Sequence, residues 1–286
     1  MLKAYSSIFL AYITALLVAF IFIRYFYTSQ SLLLQTFYAD VIATVIIFLF
    51  SVLFKNASFY DPYWSVAPFI ICLFWSSMID TSYSWREYFL LIAFFIWGLR
   101  LTANWARGWR GLQHEDWRYG KLKQQTGKLY PLVNLGGIHL FPTAIVFLGM
   151  LPAYHSIMNA QKETNYLDII ALIICIIATA IEFYADEQQR NFRLNRKDEM
   201  EFCQTGWWKY SRHPNYFGEV LFWWGMYVFV LAANPDYWWT VAGALAMTLM
   251  FLFISIPMME KHLLEKRPSY KAYQKSVAAL IPIFWK

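Results

Sequence analysis

Apolar runs dominate this chain, and short polar stretches separate them. Eight runs stand out, approximately Ser7–Ile23, Ala39–Phe54, Tyr63–Ile79, Tyr88–Thr102, Leu135–His155, Tyr166–Tyr184, Tyr216–Ala233 and Thr240–Met259. A helix rising about 1.5 Å per residue needs roughly 20 apolar residues to cross about 30 Å of hydrocarbon. The runs are continuous rather than alternating, which predicts membrane helices and excludes a β-barrel. The first run is longer than a signal-peptide core and has no small-residue cleavage site, so it reads as a span. The predicted fold is all-α: a polytopic membrane helix bundle of about eight transmembrane helices.

Composition sharpens this picture. Of 286 residues, 59% are hydrophobic and only 15% charged, against about a quarter charged in a soluble domain. Aromatic residues make up 21%, as suits a protein with two lipid–water boundaries. Soluble dinucleotide-binding folds, disordered chains and disulfide scaffolds are excluded. Cys72, Cys175 and Cys203 lack metal-ligand spacing, so no metal is expected.

Charge placement then orients the spans. With the N-terminus inside, 21 of the 24 Lys and Arg fall on the cytoplasmic side, all but Arg24, Arg86 and Lys162. That bias follows the positive-inside rule. It predicts a multi-pass integral protein of a bacterial inner membrane or the endoplasmic reticulum, with both termini cytoplasmic. The formal net charge of +6 is explained by this flank and calls for no nucleic acid. The long polar connections from Ala103 onward are all inner ones, so chemistry with a water-soluble partner is expected at that face.

Polar residues inside or beside spans are the functional candidates, because an unpaired charge there is costly. Glu182, Asp186 and Arg190 recur every four residues on one helical face, and Arg193 lies a turn beyond. That pattern suits an anion clamp and equally a solvated helix end with i,i+4 ion pairs. In Ser211-Arg212-His213-Pro214-Asn215-Tyr216-Phe217-Gly218-Glu219, Pro214 suits a first helical turn. Asn215, Glu219 and Trp223 then share a face, with Glu219 a full turn inside the span. The helix start with Arg212 and His213 suits a phosphate or carboxylate; an inside-flank charge also accounts for Arg212. The tail, with Glu260, His262, Tyr270 and Tyr273, reads as a ligand-closing element or as an interfacial anchor. Asp61, in Tyr60-Asp61-Pro62-Tyr63-Trp64-Ser65, is either a helix-start charge or an acid kept protonated by apolar neighbours. His114, His139 and His155 are isolated and read as surface or packing residues.

The Ser211–Glu219 phrase with the Ala279–Pro282 ending resembles the steroid 5α-reductase superfamily, in its C-terminal 3-oxo-5α-steroid 4-dehydrogenase-like domain. The Asp-Pro-Tyr-Trp-Ser phrase is similar to one branch of it. The resemblance runs from about Asp61 to Lys286, and implies two added transmembrane helices in residues 1–60 followed by a catalytic domain in 61–286. It implies reduction of a carbon–carbon double bond conjugated to a carbonyl in a hydrophobic small molecule. NADPH would be the cofactor, in a cavity open to the cytoplasm. By position, Asp186 and Arg193 match an Asp and an Arg of the NADPH site. Asn215, Glu219 and Trp223 match its Asn, Glu and aromatic residue, and His262 matches its His. Glu182 stands where the family has an Asn and Met258 where it has an Arg; with Arg212 from the phrase itself, Glu182 completes the expected cofactor set. Asp61 falls at the carbonyl-facing acid. Trp97 falls at a Tyr that shares that contact, and an indole donates a hydrogen bond but transfers no proton.

Two other functions compete. Isoprenylcysteine carboxyl methyltransferases share the Arg-His-Pro-x-Tyr-x-Gly phrase, and in that reading Arg212–Gly218, Glu260, Tyr270, Tyr273 and Pro282 would serve S-adenosylmethionine. A non-enzymatic lipid-binding protein on the same fold is the other. Glu219 directly after Gly218, the Asp186/Arg193 pair and the Asp61 phrase fit the reductase better. A bare fold decides little.

Overall fold

In the computed structural model of the chain the apolar runs are helices. The structure describes residues 2–25, 31–79 and 83–284; Lys286, counted among the expected cytoplasmic charges, lies outside them. The helices are α1 (Leu2–Tyr25), α2 (Leu32–Leu53), α3 (Tyr63–Ser77), α4 (Trp85–Gly108), α5 (Trp117–Thr126), α6 (Tyr130–Val133), α7 (Phe141–Met158), α8 (Tyr166–Asn195), α9 (Pro214–Ala233), α10 (Val241–Met250), α11 (Ile256–Lys266) and α12 (Tyr270–Ser276). Two π-helical turns, Asn134–Leu140 and Phe251–Ser255, join α6 to α7 and α10 to α11. Among the described residues seven helical segments are long and apolar enough to cross a membrane: Lys3–Tyr25, Leu32–Leu53, Trp85–Gly108, Trp117–Met158, Tyr166–Asn195, Pro214–Ala233 and Pro235–Lys266. This is an all-α polytopic helix bundle.

The expected span at Tyr63–Ile79 is α3, a helix of only 15 residues. At about 1.5 Å per residue it covers roughly 22 Å, less than the hydrocarbon thickness. The preceding segment explains its length. Lys55 adopts φ 51°, and Asn56 N–H donates to the Ser51 carbonyl at 2.9 Å while Lys55 N–H donates to Val52 at 3.2 Å. This double bond closes α2 and reverses the chain. Residues 56–62 then run back along α2, with Ala57, Ser58, Phe59 and Tyr60 all buried, so α3 starts at depth. Irregular backbone at such depth survives only where protein satisfies it. Here Ala57 N–H donates to Glu115 Oε1 at 2.7 Å and Ser58 N–H to Asn56 Oδ1 at 2.9 Å.

The chain divides into two compact units. Met1–Thr81 and Trp97–Met150 form one; Ser82–Ile96 and Leu151–Lys286 form the other. In the first, Ala4, Ile8, Ala11 and Ala15 make a small-residue stripe on α1 that shares a core with Ala43 and Ile47 of α2. Small side chains let two backbones approach in lipid, where dispersion replaces the hydrophobic effect. In the second, α8 and α9 are the dominant pair. Ala171, Cys175, Ala178, Glu182 and Ala185 form a buried stripe on α8. A Cβ on Gly218 would lie 2.7 Å from the Ala178 carbonyl oxygen and one on Gly225 2.6 Å from Cys175 Sγ. Only glycine fits at those two contacts.

Candidate functional site

The α8–α9 contact assembles most of the expected cofactor residues. Glu182, Asp186, Arg190 and Arg193 follow one another along α8, and Asn215, Glu219 and Trp223 along α9, with Gly218 pressed against Glu182. Asn215 Nδ2 donates to Asp186 Oδ1 at 3.0 Å, and Trp223 Nε1 donates to Glu219 Oε1 at 2.9 Å. Trp223 also packs on Phe94, centroids 6.3 Å apart. The strip is graded. Glu182, Glu219 and Trp223 are 1%, 3% and 0% exposed; Asp186 and Asn215 are half-buried, and Arg193 is exposed. Polarity thus runs from surface cations through an amide–carboxylate pair to buried acids against an indole.

Arg212 and His213 take a different place. Arg212 Nε donates to Glu260 Oε1 at 2.5 Å, and its Nη1 donates to the Gln274 carbonyl at 2.7 Å and to that of Val277. His213 Nε2 lies 3.1 Å from the same Glu260 oxygen, and Gln274 Nε2 donates to the other at 2.6 Å. Ser211 Oγ donates to the Leu280 carbonyl at 2.7 Å and Arg212 N–H to that of Ala278 at 2.9 Å. Tyr273 donates through its hydroxyl to the Trp208 carbonyl. The Arg-His-Pro phrase therefore clasps the C-terminal tail to the start of α9. Burial holds the His213 imidazole below its ordinary pKa, with the bond to Glu260 opposing. On the other side, Gln188 accepts from Trp207 N–H at 2.9 Å and the Ala185 carbonyl from Trp208 Nε1 at 3.0 Å, so the loop is pinned to α8 as well. His262 is half-buried on α11. Two residues beyond Glu260, it projects about 200° away from the clasp.

Asp61 belongs to the first unit, and each residue of its phrase has a partner there. Tyr119 donates its hydroxyl to Asp61 Oδ1. Tyr63 donates to Asp40 Oδ1 at 2.7 Å, inside α2. Trp64 packs edge-on to Trp97, centroids 5.8 Å apart. Ser65 bonds the Pro62 carbonyl at 3.0 Å and Thr102 Oγ1 at 2.9 Å, beside Gly98, where a Cβ would strike the Ser65 carbonyl. Burial raises the Asp61 pKa, while Arg118 and the hydrogen bonds from Tyr119 and Ser58 oppose. Trp97 is fully buried. Tyr119 and Asp40 were missed in the sequence, since each is recognisable only by its partner. Asp40 had one signal, a carboxylate within an apolar run.

Two further features complete the second unit. Arg86 makes a two-pronged ion pair with Asp168, 2.8 and 3.0 Å, and donates to the carbonyls of Lys162 and Glu163 at 2.8 and 3.0 Å. Asp168 also accepts from Asn165 N–H at 2.9 Å within the capping box that opens α8. A cavity of about 590 Å³ lies among Phe192, Phe202, Gln204, Ala272 and Tyr273. None of the expected cofactor residues lines it. Among the described residues no cluster of His, Cys, Asp and Glu could hold a metal ion.

A family model matches residues 47–277. The chain belongs to the DUF1295 family. DUF1295 is described as a protein of unknown function and is associated with the steroid 5α-reductase-like superfamily. The DUF1295 match begins within α2 and takes in the Asp61 phrase, the α8–α9 strip and the Arg212 clasp as far as Val277. The chain is also similar to the uncharacterized protein C594.04c of Schizosaccharomyces pombe, 29% identical over 257 residues, covering 81% of this chain and 74% of the yeast protein. No solved structure matches.

Proposed function

We propose that this DUF1295 protein is a membrane-embedded, NADPH-dependent reductase of a carbon–carbon double bond conjugated to a carbonyl, acting on a steroid- or isoprenoid-like substrate. It would belong to the Asp-Pro-Tyr-Trp-Ser branch of the steroid 5α-reductase superfamily, with both termini cytoplasmic. The observation that carries this reading is the graded strip on α8 and α9. A dinucleotide is anionic at its phosphates and aromatic toward its reactive ring, and the strip complements it, with arginines at one end and the Trp223 wall at the other. The donor set fits: Arg193 for a phosphate, Asp186 and Asn215 for ribose or amide groups, Glu182 and Glu219 with the Trp223 wall for the nicotinamide end, and His262 on α11. Arg212 serves the same end by holding the tail in place. NADPH, when bound, supplies the hydride; the protein supplies orientation and electrostatics.

The acid half of the reaction falls to Asp61. As hydride reaches the β-carbon, charge develops on the carbonyl oxygen, and a neutral acid stabilises it by donating a hydrogen bond. The raised Asp61 pKa supports a proton held there, and Tyr119 replaces the hydroxyl that Trp97 lacks. Trp97 keeps a shaping role against Trp64.

The test is direct. Mass spectrometry of the purified protein should find a retained nicotinamide dinucleotide, and Arg193→Ala should weaken NADPH binding about tenfold, as loss of a charge-assisted phosphate contact does. Unchanged binding in that variant, with S-adenosylmethionine competing, would overturn the reductase reading in favour of the methyltransferase.

A further inference from the structure

Asn134–Leu140 is a π-helical turn within the long segment Trp117–Met158, and such turns are frequent at functional sites. Its two polar side chains are buried: His139 is 0% exposed and Asn134 5%. His139 Nδ1 lies 2.9 Å from the Asn134 backbone carbonyl. A carbonyl only accepts, so Nδ1 carries the hydrogen and Nε2 presents a bare lone pair. That Nε2 has no hydrogen-bond partner, and neither has Asn134 Oδ1. Two buried acceptors on one turn are left without donors, although buried polar groups are nearly always satisfied.

The walls limit what the donor can be. The His139 ring lies 5.0 Å from that of Tyr60 and 5.4 Å from that of Phe48. Tyr60 spends its hydroxyl on Thr143 Oγ1 at 2.8 Å, and the neighbouring Ile138 packs with Ala57 and Tyr119. A cationic donor is disfavoured among such walls at membrane depth, and a hydroxyl is the smallest neutral donor that meets a lone pair. A molecule arriving through the bilayer carries that group on a hydrocarbon body.

We propose that His139, its ring oriented by the Asn134 backbone carbonyl, forms a hydroxyl-binding site for an apolar alcohol, separate from the Asp61–Tyr119 pair. The alcohol donates its O–H to His139 Nε2, and its hydrocarbon lies against Phe48 and Tyr60. This assignment does not depend on NADPH or on any turnover.

The full-length protein in lipid nanodiscs would be photolabelled with a diazirine-bearing C15 isoprenoid alcohol, and the labelled peptide read by mass spectrometry. Unlabelled alcohol and its methyl ether, which lacks the O–H, compete in one arm; a 3-hydroxysterol and its methyl ether compete in the other. Labelling is expected between residues 134 and 143, with the alcohol displacing it at about one-tenth the concentration of the ether in at least one arm, as for one buried hydrogen bond. His139→Phe should bring the two to parity. Equal displacement by alcohol and ether in both arms, the result if only water fills the turn, overturns the proposal. So does His139→Phe retaining the preference. The comparison on the unmutated protein stands even where the variant fails to fold.

Discussion

The phenol of Tyr119 donates to the carboxyl of Asp61, 58 residues earlier in the chain. An acid and a hydroxyl are thereby paired within the unit that holds the Asp-Pro-Tyr-Trp-Ser phrase, whereas the resemblance to the steroid 5α-reductases would have the hydroxyl at the position of Trp97. The hydroxyl comes from a different helix.

Asp61→Asn keeps shape and a donor but loses the transferable proton; Asp61→Leu loses both. With a hydrophobic enone and NADPH, turnover is expected to fall in Asn and further in Leu, by 10²-fold or more, on the order of losing one donor at a developing oxyanion. NADPH affinity should be unchanged in both. Activity needing the protonated acid is lost as pH rises through the raised Asp61 pKa. Since the Tyr119 bond lowers that pKa, Tyr119→Phe should move the alkaline limb of the pH–rate profile upward. A downward shift would place the working proton elsewhere.

Gly218 is where α8 and α9 touch most closely. Gly218→Ala must move the Ala178 carbonyl, 2.7 Å from the added carbon, a backbone atom that cannot rotate away. Overpacking of this kind costs about 1–3 kcal/mol, and it should weaken NADPH binding by spreading the strip. Gly136→Ala meets nothing within 4 Å and serves as the control, with an unchanged or slightly raised midpoint. Thermal unfolding in detergent separates the two.

Lys55 holds a left-handed backbone, φ 51°, at the reversal after α2. Lys55→Gly relieves the Cβ clash of that conformation and should stabilise by about 0.5–1 kcal/mol. A lowered unfolding midpoint would mean that the Lys side chain contributes more than its backbone costs.

The clasp carries its own pH signature. His213 sits beside Glu260, Arg212 and Tyr216, with its pKa lowered by burial. The folded state therefore binds fewer protons than the unfolded chain, and stability declines as pH falls below about 6.5. One proton limits the slope to about 1.4 kcal/mol per pH unit. His213→Gln should flatten that limb, and at acid pH limited proteolysis should release the tail more slowly in the variant than in the parent.

What was legible in the sequence followed from periodicity. Eight apolar runs became helices, and the i,i+4 rows of α8 and α9 came together because glycine and alanine at fixed spacing let two backbones meet. What was illegible depended on partners far apart in sequence. Arg212 read as an anion ligand, yet its guanidinium is spent on Glu260 and tail carbonyls that no local pattern announces. The third run read as a full span because hydropathy does not register that residues 56–62 fold back and shorten it. Tyr119 looked like one more aromatic residue in a basic connection until Asp61 was placed against it.

Arg86 and Asp168 are 82 positions apart. At a synthesis rate of about 5–20 residues per second, roughly 4–16 seconds separate their emergence from the ribosome. During that interval the first turn of α4 carries a guanidinium with neither its carboxylate nor its two carbonyls yet made. The start of α4 must therefore wait, still hydrated or held by the insertion machinery, until the N-terminus of α8 arrives. The order of assembly of this membrane protein is written into that one ion pair: the helix that starts at Trp85 is finished only by the one that opens at Tyr166.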